Sequence, residues 1–206
     1  MLGFRNQPVD HYMRTFYLAA ESQYKLNQPH CLGSVPRHSI MMQTIRDFLD
    51  AYSNQLKFSF VFHSEYTHGA NNKLQWADDD LLRFLEYIDD RVHLNNSLLV
   101  LMSDHGARFQ NVRVTEQGKY EERMPFLAIR VPPWFSHRYP EVVRNIRANA
   151  DKLTTPFDLH ETFVDVVNYT GGHNIGRLRN RRRGISLFSA LPAHRTCADA
   201  EVKAHW

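Results

Sequence analysis

Apolar positions recur at helical spacing along several stretches of the chain. In "HSIMMQTIRDFLDAY", residues 38–52, the side chains of Ile40, Met41, Ile45, Phe48, Leu49 and Tyr52 fall on one helical face. "ADDDLLRFLEYIDDRV", residues 77–92, predicts a helix with an acidic first turn and an apolar face of Leu81, Leu82, Leu85, Ile88 and Val92. "YPEVVRNIRANADKL" predicts a third, with Pro140 in its first turn. "TTPFDLHETFVDVVNYTGG" predicts a fourth, capped by Thr155, opened by Pro156 and stopped by Gly171 and Gly172. A short helix is expected near Tyr12–Ala20, in an otherwise irregular stretch over residues 1–36. His160 falls inside the fourth helix, where a satisfied, half-buried histidine is expected.

Other stretches read as strands. "KFSFVFH", Lys57–His63, reads as a strand followed by a loop, and "NNSLLVLMS" as the next strand, a buried one. "EERMPFLAIRVPP" gives a third strand, closed by Pro132 and Pro133, and "RGISLF" is a short apolar segment after a basic run. There is no internal repeat. Strands alternating with helices imply an α/β fold with a largely parallel sheet. Residues 57–63, the helix over 77–92 and residues 98–103 form a βαβ unit in which the two strands run parallel.

That arrangement singles out candidate chemistry, because ligands of open α/β sheets bind beyond the carboxyl ends of the strands. His68 follows one strand, and Asp104, His105 and Gly106 follow the other, so the two pieces are expected to line one cleft. Asp and His together offer an oxygen and a nitrogen to a divalent cation, and the glycine lets the backbone leave without blocking the site. The same tripeptide also suits an ordinary strand-end turn, with Asp104 bonding to nearby backbone and His105 exposed.

Composition narrows the class. The 206 residues, 43% hydrophobic and 23% charged, suit one globular domain or a large piece of one. A net charge of +3 is too small to argue for nucleic acid. No apolar run is long enough for a membrane span, and the first residues lack the apolar core of a signal peptide; taken alone, this points to the cytosol. Cys31 and Cys197 are too few for a disulfide framework and lack metal-site spacing. Asn95-Asn96-Ser97 and Asn168-Tyr169-Thr170 are glycosylation sequons that permit a secreted context. The run Arg177–Gly184 suits either a solvated loop or anion binding, and Arg179–Arg182 also fits a proprotein-convertase pattern. Neither a nucleophile elbow nor a phosphate-binding P-loop is present.

"LVLMSDHGARF" resembles the Ser-Asp-His-Gly signature of the alkaline phosphatase and sulfatase superfamily. More closely, the chain resembles the animal family known as domain of unknown function 229. "PVDHYMRTF", "FVFHSEYTHGANN", "GKYEERMPFLAIRVP", "TTPFDLHETFVDVV", "RGISLF" and "RTCADAEVKAHW" carry that resemblance along nearly the whole chain. It implies a doubly wound, largely parallel α/β sheet with helices on both faces, of which residues 1–206 are the C-terminal part and the N-terminal half is absent. It implies metal ligation by Asp104 and His105, with Zn, Mn or Ca as the ion. His68 would match the histidine that touches the transferred phosphate in single-metal relatives such as lipoteichoic acid synthase. Two-metal members carry an Asp four residues before that histidine; Ser64 stands there in this chain, with Glu65 one residue later, which argues against a second metal.

The resemblance also implies an extracellular address and an anionic ester substrate. A complete protein would be a metal-dependent hydrolase or transferase of phosphate or sulfate esters, whereas this chain alone, lacking a nucleophile, is expected to be inactive. The alternative is a non-catalytic extracellular module that binds anionic glycans through the arginine-rich loop.

Overall fold

The computed structural model describes residues 3–24, 28–67, 71–108, 111–169 and 183–203. The chain divides into two compact units, residues 1–130 and 131–206.

The first unit opens with α1 (Arg14–Glu21) and a small hairpin of β1 (Cys31–Leu32) and β2 (Val35–Pro36), turned by Gly33 at φ +62°. The extended backbone of Pro36 leads directly into α2 (Arg37–Ala51), and the Lys57 ammonium closes the far end of that helix by donating to the Tyr52 carbonyl at 2.7 Å and that of Gln55 at 3.1 Å. A 3-10 turn, Asn71–Ala77, runs into α3 (Asp78–Asp90), whose first turn carries three aspartates. A second short turn, His93–Asn95, precedes β3 (Leu99–Met102). After a third turn come α4 (Glu116–Arg123), capped by the Thr115 hydroxyl, and β4 (Leu127–Arg130).

Met42 of α2 and Phe84 and Ile88 of α3 form the core of this unit with Leu94; Met41, Ile45, Leu49, Leu81, Leu85 and Leu99 pack around them. The buried stripe of α3 therefore runs through Phe84 rather than Leu82 and Val92, which are 56% and 62% exposed. Helical spacing groups residues by angle, but the partner helix decides which edge of the apolar arc is covered. Asp50 joins the far ends of the two helices by accepting from the Tyr87 hydroxyl at 2.5 Å and from His93 Nε2 at 2.8 Å.

The second sheet of this unit is a two-stranded antiparallel ladder of β3 and β4, in which Leu99 faces Arg130 and Met102 faces Leu127. Residues 57–63, expected beside β3, make no ladder among the described residues, and Phe58, Phe60 and Phe62 stand exposed. A period-two pattern fixes the alternation of side chains along an extended segment; it does not name the neighbour.

The second unit comprises α5 (Pro133–Arg138), α6 (Pro140–Asn149) and α7 (Pro156–Val167), each with proline in its first turn. Thr155 caps α7 as expected: its backbone N–H donates to Asp158 Oδ2 at 2.7 Å. Gly171 and Gly172 lie outside the described residues. His160 is exposed rather than half-buried, because the buried face of α7 runs through Asp158, Leu159, Glu161, Thr162 and Asp165.

The segment "ISLFSAL", residues 185–191, is the centre of this unit. Phe188 joins Phe135 and Val142 in the core. The backbone of the segment is held by side chains. Ile185 N–H donates to Asp158 Oδ1 at 2.7 Å and Leu187 N–H to the Thr162 hydroxyl at 2.8 Å. Asn149 Nδ2 donates to the carbonyls of Leu187 at 3.1 Å and Ser189 at 2.8 Å, while its Oδ1 accepts from Leu191 N–H at 3.0 Å. A buried segment outside any helix or sheet must find most of its backbone partners elsewhere, and asparagine, with both donors and an acceptor, supplies them from a helix.

Candidate functional site

Where β3 ends, the ladder is carried one residue further by Ser103. Its N–H donates to the Phe126 carbonyl at 2.9 Å, and its hydroxyl accepts from Phe126 N–H at 3.1 Å. The hydroxyl is thereby committed to the sheet. Asp104 follows, with Oδ1 accepting from His105 N–H at 2.9 Å. His105 Nδ1 lies 2.6 Å from the Gly106 carbonyl oxygen. A carbonyl only accepts, so Nδ1 carries the proton and the lone pair of a neutral ring resides on Nε2. That atom lies 3.4 Å from Asp104 Oδ2.

Gly106 is required by packing. A Cβ on it would lie 2.0 Å from the Glu121 carbonyl oxygen, and its N–H donates to the Glu122 carbonyl at 3.1 Å. The chain leaves the strand by pressing its backbone onto the last turn of α4, an approach open only to glycine.

The pair Asp104 Oδ2 and His105 Nε2 suits one divalent ion. Donors about 2.0–2.1 Å from a tetrahedral centre stand about 3.3 Å apart. Anchoring Nδ1–H on a backbone carbonyl is also how a ligating histidine is oriented. Both side chains are open to solvent, at 56% and 37% exposure. Among the described residues, no group of three or more His, Cys, Asp and Glu is arranged to hold a metal. His68, the third expected site residue, lies outside the described residues.

The turn leading towards it is described as far as Thr67, and two polar networks hold it. Glu65 accepts from Arg37 Nη1 at 3.1 Å and pairs with Arg37 Nε at 2.9 Å. It also accepts from His30 Nδ1 at 2.8 Å, and Lys73 closes the other side of that ring, Nζ donating to Nε2 at 3.1 Å. In the second network, buried His38 donates from Nε2 to Asp80 Oδ2 at 2.5 Å and accepts at Nδ1 from the Tyr66 hydroxyl at 2.6 Å. The His38 and Arg83 hydrogen bonds hold the Asp80 carboxyl below the usual carboxylate range. Burial, reinforced by the Glu65 charge, pushes the Tyr66 phenol up to about 12. His63 packs edge-on against Tyr66 with ring centroids 5.1 Å apart; burial lowers its pKa, and its Nε2 has no hydrogen-bond partner among the described residues.

Sequence reasoning missed these networks. The density of His, Glu and Tyr in "FHSEYTH" was a signal, but the partners come from α2, α3 and the segment before β1. Glu65, paired with a guanidinium and an imidazole, is not poised as a metal ligand.

Arg177–Arg182 lie outside the described residues; Arg183 lies over the Phe157 ring at 3.8 Å. Cys31 and Cys197 carry free thiols. No described helix is long and apolar enough to cross a membrane.

No curated protein matches the chain. No solved structure matches it. The Ser-Asp-His-Gly turn, its glycine seat and the anchored turn before His68 are thus features of a chain that matches the family model "Protein of unknown function (DUF229)" over residues 1–206, and the chain belongs to that family.

Proposed function

We propose that this chain carries the metal-binding part of an extracellular, alkaline phosphatase/sulfatase-like domain. The domain has a doubly wound, largely parallel sheet and acts on phosphate or sulfate esters as a hydrolase or transferase. The observation that carries this reading is the pair of donors, Asp104 Oδ2 and His105 Nε2, 3.4 Å apart at the end of β3. The Nδ1 hydrogen bond to Gly106 leaves the lone pair of a neutral ring on Nε2. A bound Zn, Mn or Ca ion would act as a Lewis acid on an ester oxygen and lower the pKa of a hydroxyl nucleophile. Asp104 contributes a negative charge that favours a cation, and His105 a neutral, oriented ligand. His68 hydrogen-bonds a non-bridging oxygen or protonates the leaving group. Two donors fall short of the three protein ligands usual in catalytic sites, so the chain alone binds metal weakly and turns over no substrate.

The test is metal content by mass spectrometry after equilibration with Zn, Mn or Ca, for the wild-type chain, Asp104→Asn and His105→Ala. Alongside it, phosphate mono- and diesters and aryl sulfates are assayed for hydrolysis. Metal retained by the wild type and lost from both variants supports the site. Equal metal content in all three overturns it, and metal-dependent turnover by the wild-type chain overturns the statement that the chain alone is inactive.

A further inference from the structure

The turn before β3 presents an asparagine in a setting unlike that of its neighbours. Val92 takes the left-handed conformation at φ 57°, and the Asn95 N–H donates to its carbonyl at 3.0 Å, closing the turn. Two side chains of the turn face inward: His93 reaches Asp50 and Leu94 is buried in the core of the first unit. Asn95 is left facing solvent, and its side-chain amide makes no hydrogen bond among the described residues. Asn96 and Ser97 follow, completing an Asn-x-Ser sequon. The other sequon differs: Asn168 Nδ2 donates to the Val164 carbonyl at 2.7 Å and so helps to close α7.

We propose that Asn95 is an N-glycan acceptor. This rests on the extracellular reading above, since the modification occurs in the secretory lumen. A bond forms between Asn95 Nδ2 and the anomeric carbon of an oligosaccharide carried on a polyprenyl pyrophosphate. The sugar–phosphate C–O bond breaks, the pyrophosphate leaves with its electron pair, and Nδ2 gives up one proton. The fold accommodates the product without loss, because the amide is exposed and engages nothing that a sugar would displace. Asn95 precedes β3, whereas Asp104 and His105 follow it, so the acceptor and the candidate metal site lie at opposite ends of the strand.

The experiment expresses the full chain in animal cells behind an added secretory leader and treats the secreted protein with a peptide N-glycosidase in heavy-oxygen water. Conversion of Asn95 to labelled Asp supports the proposal, as does one mobility step that is lost in both Asn95→Gln and Ser97→Ala and kept in Asn168→Gln. The paired variants guard against misfolding, since Ser97→Ala leaves the asparagine in place. Secreted protein with unlabelled Asn95 overturns the proposal. A parallel arm without the leader, in its natural gene context, is scored by protease protection of the chain. Cytosolic recovery there overturns the extracellular reading and with it natural occupancy of the site, whereas the leader arm reports separately on Asn95 as an acceptor.

Discussion

Arg195 grips both carboxylate oxygens of Asp158, Nη1 to Oδ2 at 2.7 Å and Nη2 to Oδ1 at 3.0 Å, with both side chains withdrawn from solvent. The same guanidinium donates to the carbonyls of Leu153 at 3.1 Å and Arg183 at 3.2 Å. Asp158 meanwhile caps α7 and holds Ile185. One buried ion pair therefore fixes three stretches of chain. Removing the cation leaves a buried carboxylate with part of its hydrogen bonding gone. Arg195→Ala is expected to destabilise the second unit by about 3–5 kcal/mol, read as a fall in the urea midpoint. Asp158→Asn combined with Arg195→Met should recover part of the loss, because both buried charges are then gone.

Gly106→Ala should be destabilising although the residue sits in a turn. The added Cβ would lie 2.0 Å from the Glu121 carbonyl oxygen, which is backbone and cannot rotate aside. Overpacking of this kind costs about 1–3 kcal/mol. Because the strain falls directly behind Asp104 and His105, the variant should also lose metal retention. Thermal unfolding and metal content of the same preparation check both effects.

Stability should have an acid limb and an alkaline limb set by neighbouring groups. His63 is lowered from 6.5 by burial, so the unfolded chain takes up its proton first; this contribution is present above pH 6.5 and is lost as pH falls through the lower folded value. Asp80, lowered from 3.8 chiefly by its His38 hydrogen bond, adds a further loss only in stronger acid. Tyr66 has the opposite sign: raised from 10.0 to about 12, it gives stability that is full below pH 10 and lost as pH rises towards 12. Denaturant unfolding across this range should show a plateau between pH 6.5 and 10, and His63→Gln should flatten the first limb below 6.5.

Phe58, Phe60 and Phe62 are 73%, 75% and 62% exposed, in a segment without a ladder partner among the described residues. Exposed aromatic residues at alternate positions in a segment with unpaired backbone are a template for pairing with another chain. Replacing Phe58 and Phe60 with Thr should lower self-association, seen by light scattering, without shifting the unfolding midpoint. A shifted midpoint would show that these rings contribute to folded stability.

Local chemistry was legible in the sequence. The predicted helices over 38–52, 77–92 and 139–153 appear as α2, α3 and α6, the short helix near Tyr12–Ala20 as α1, and Thr155 and Pro156 start α7 as expected. These are decided within a turn or two by apolar spacing, proline and caps, so neighbouring residues suffice. The apolar run before Asp104 is likewise a strand. Tertiary structure decided what pairs with what. The partner of β3, the role of "ISLFSAL" and the networks of His38 and Glu65 all depend on residues tens of positions away, whose approach is fixed only when the helices pack. The same limit explains Gly106. The sequence marks a turn there, but that the turn must lie against the backbone of α4 follows only from the packed chain, because a steric constraint belongs to two surfaces and the sequence shows one.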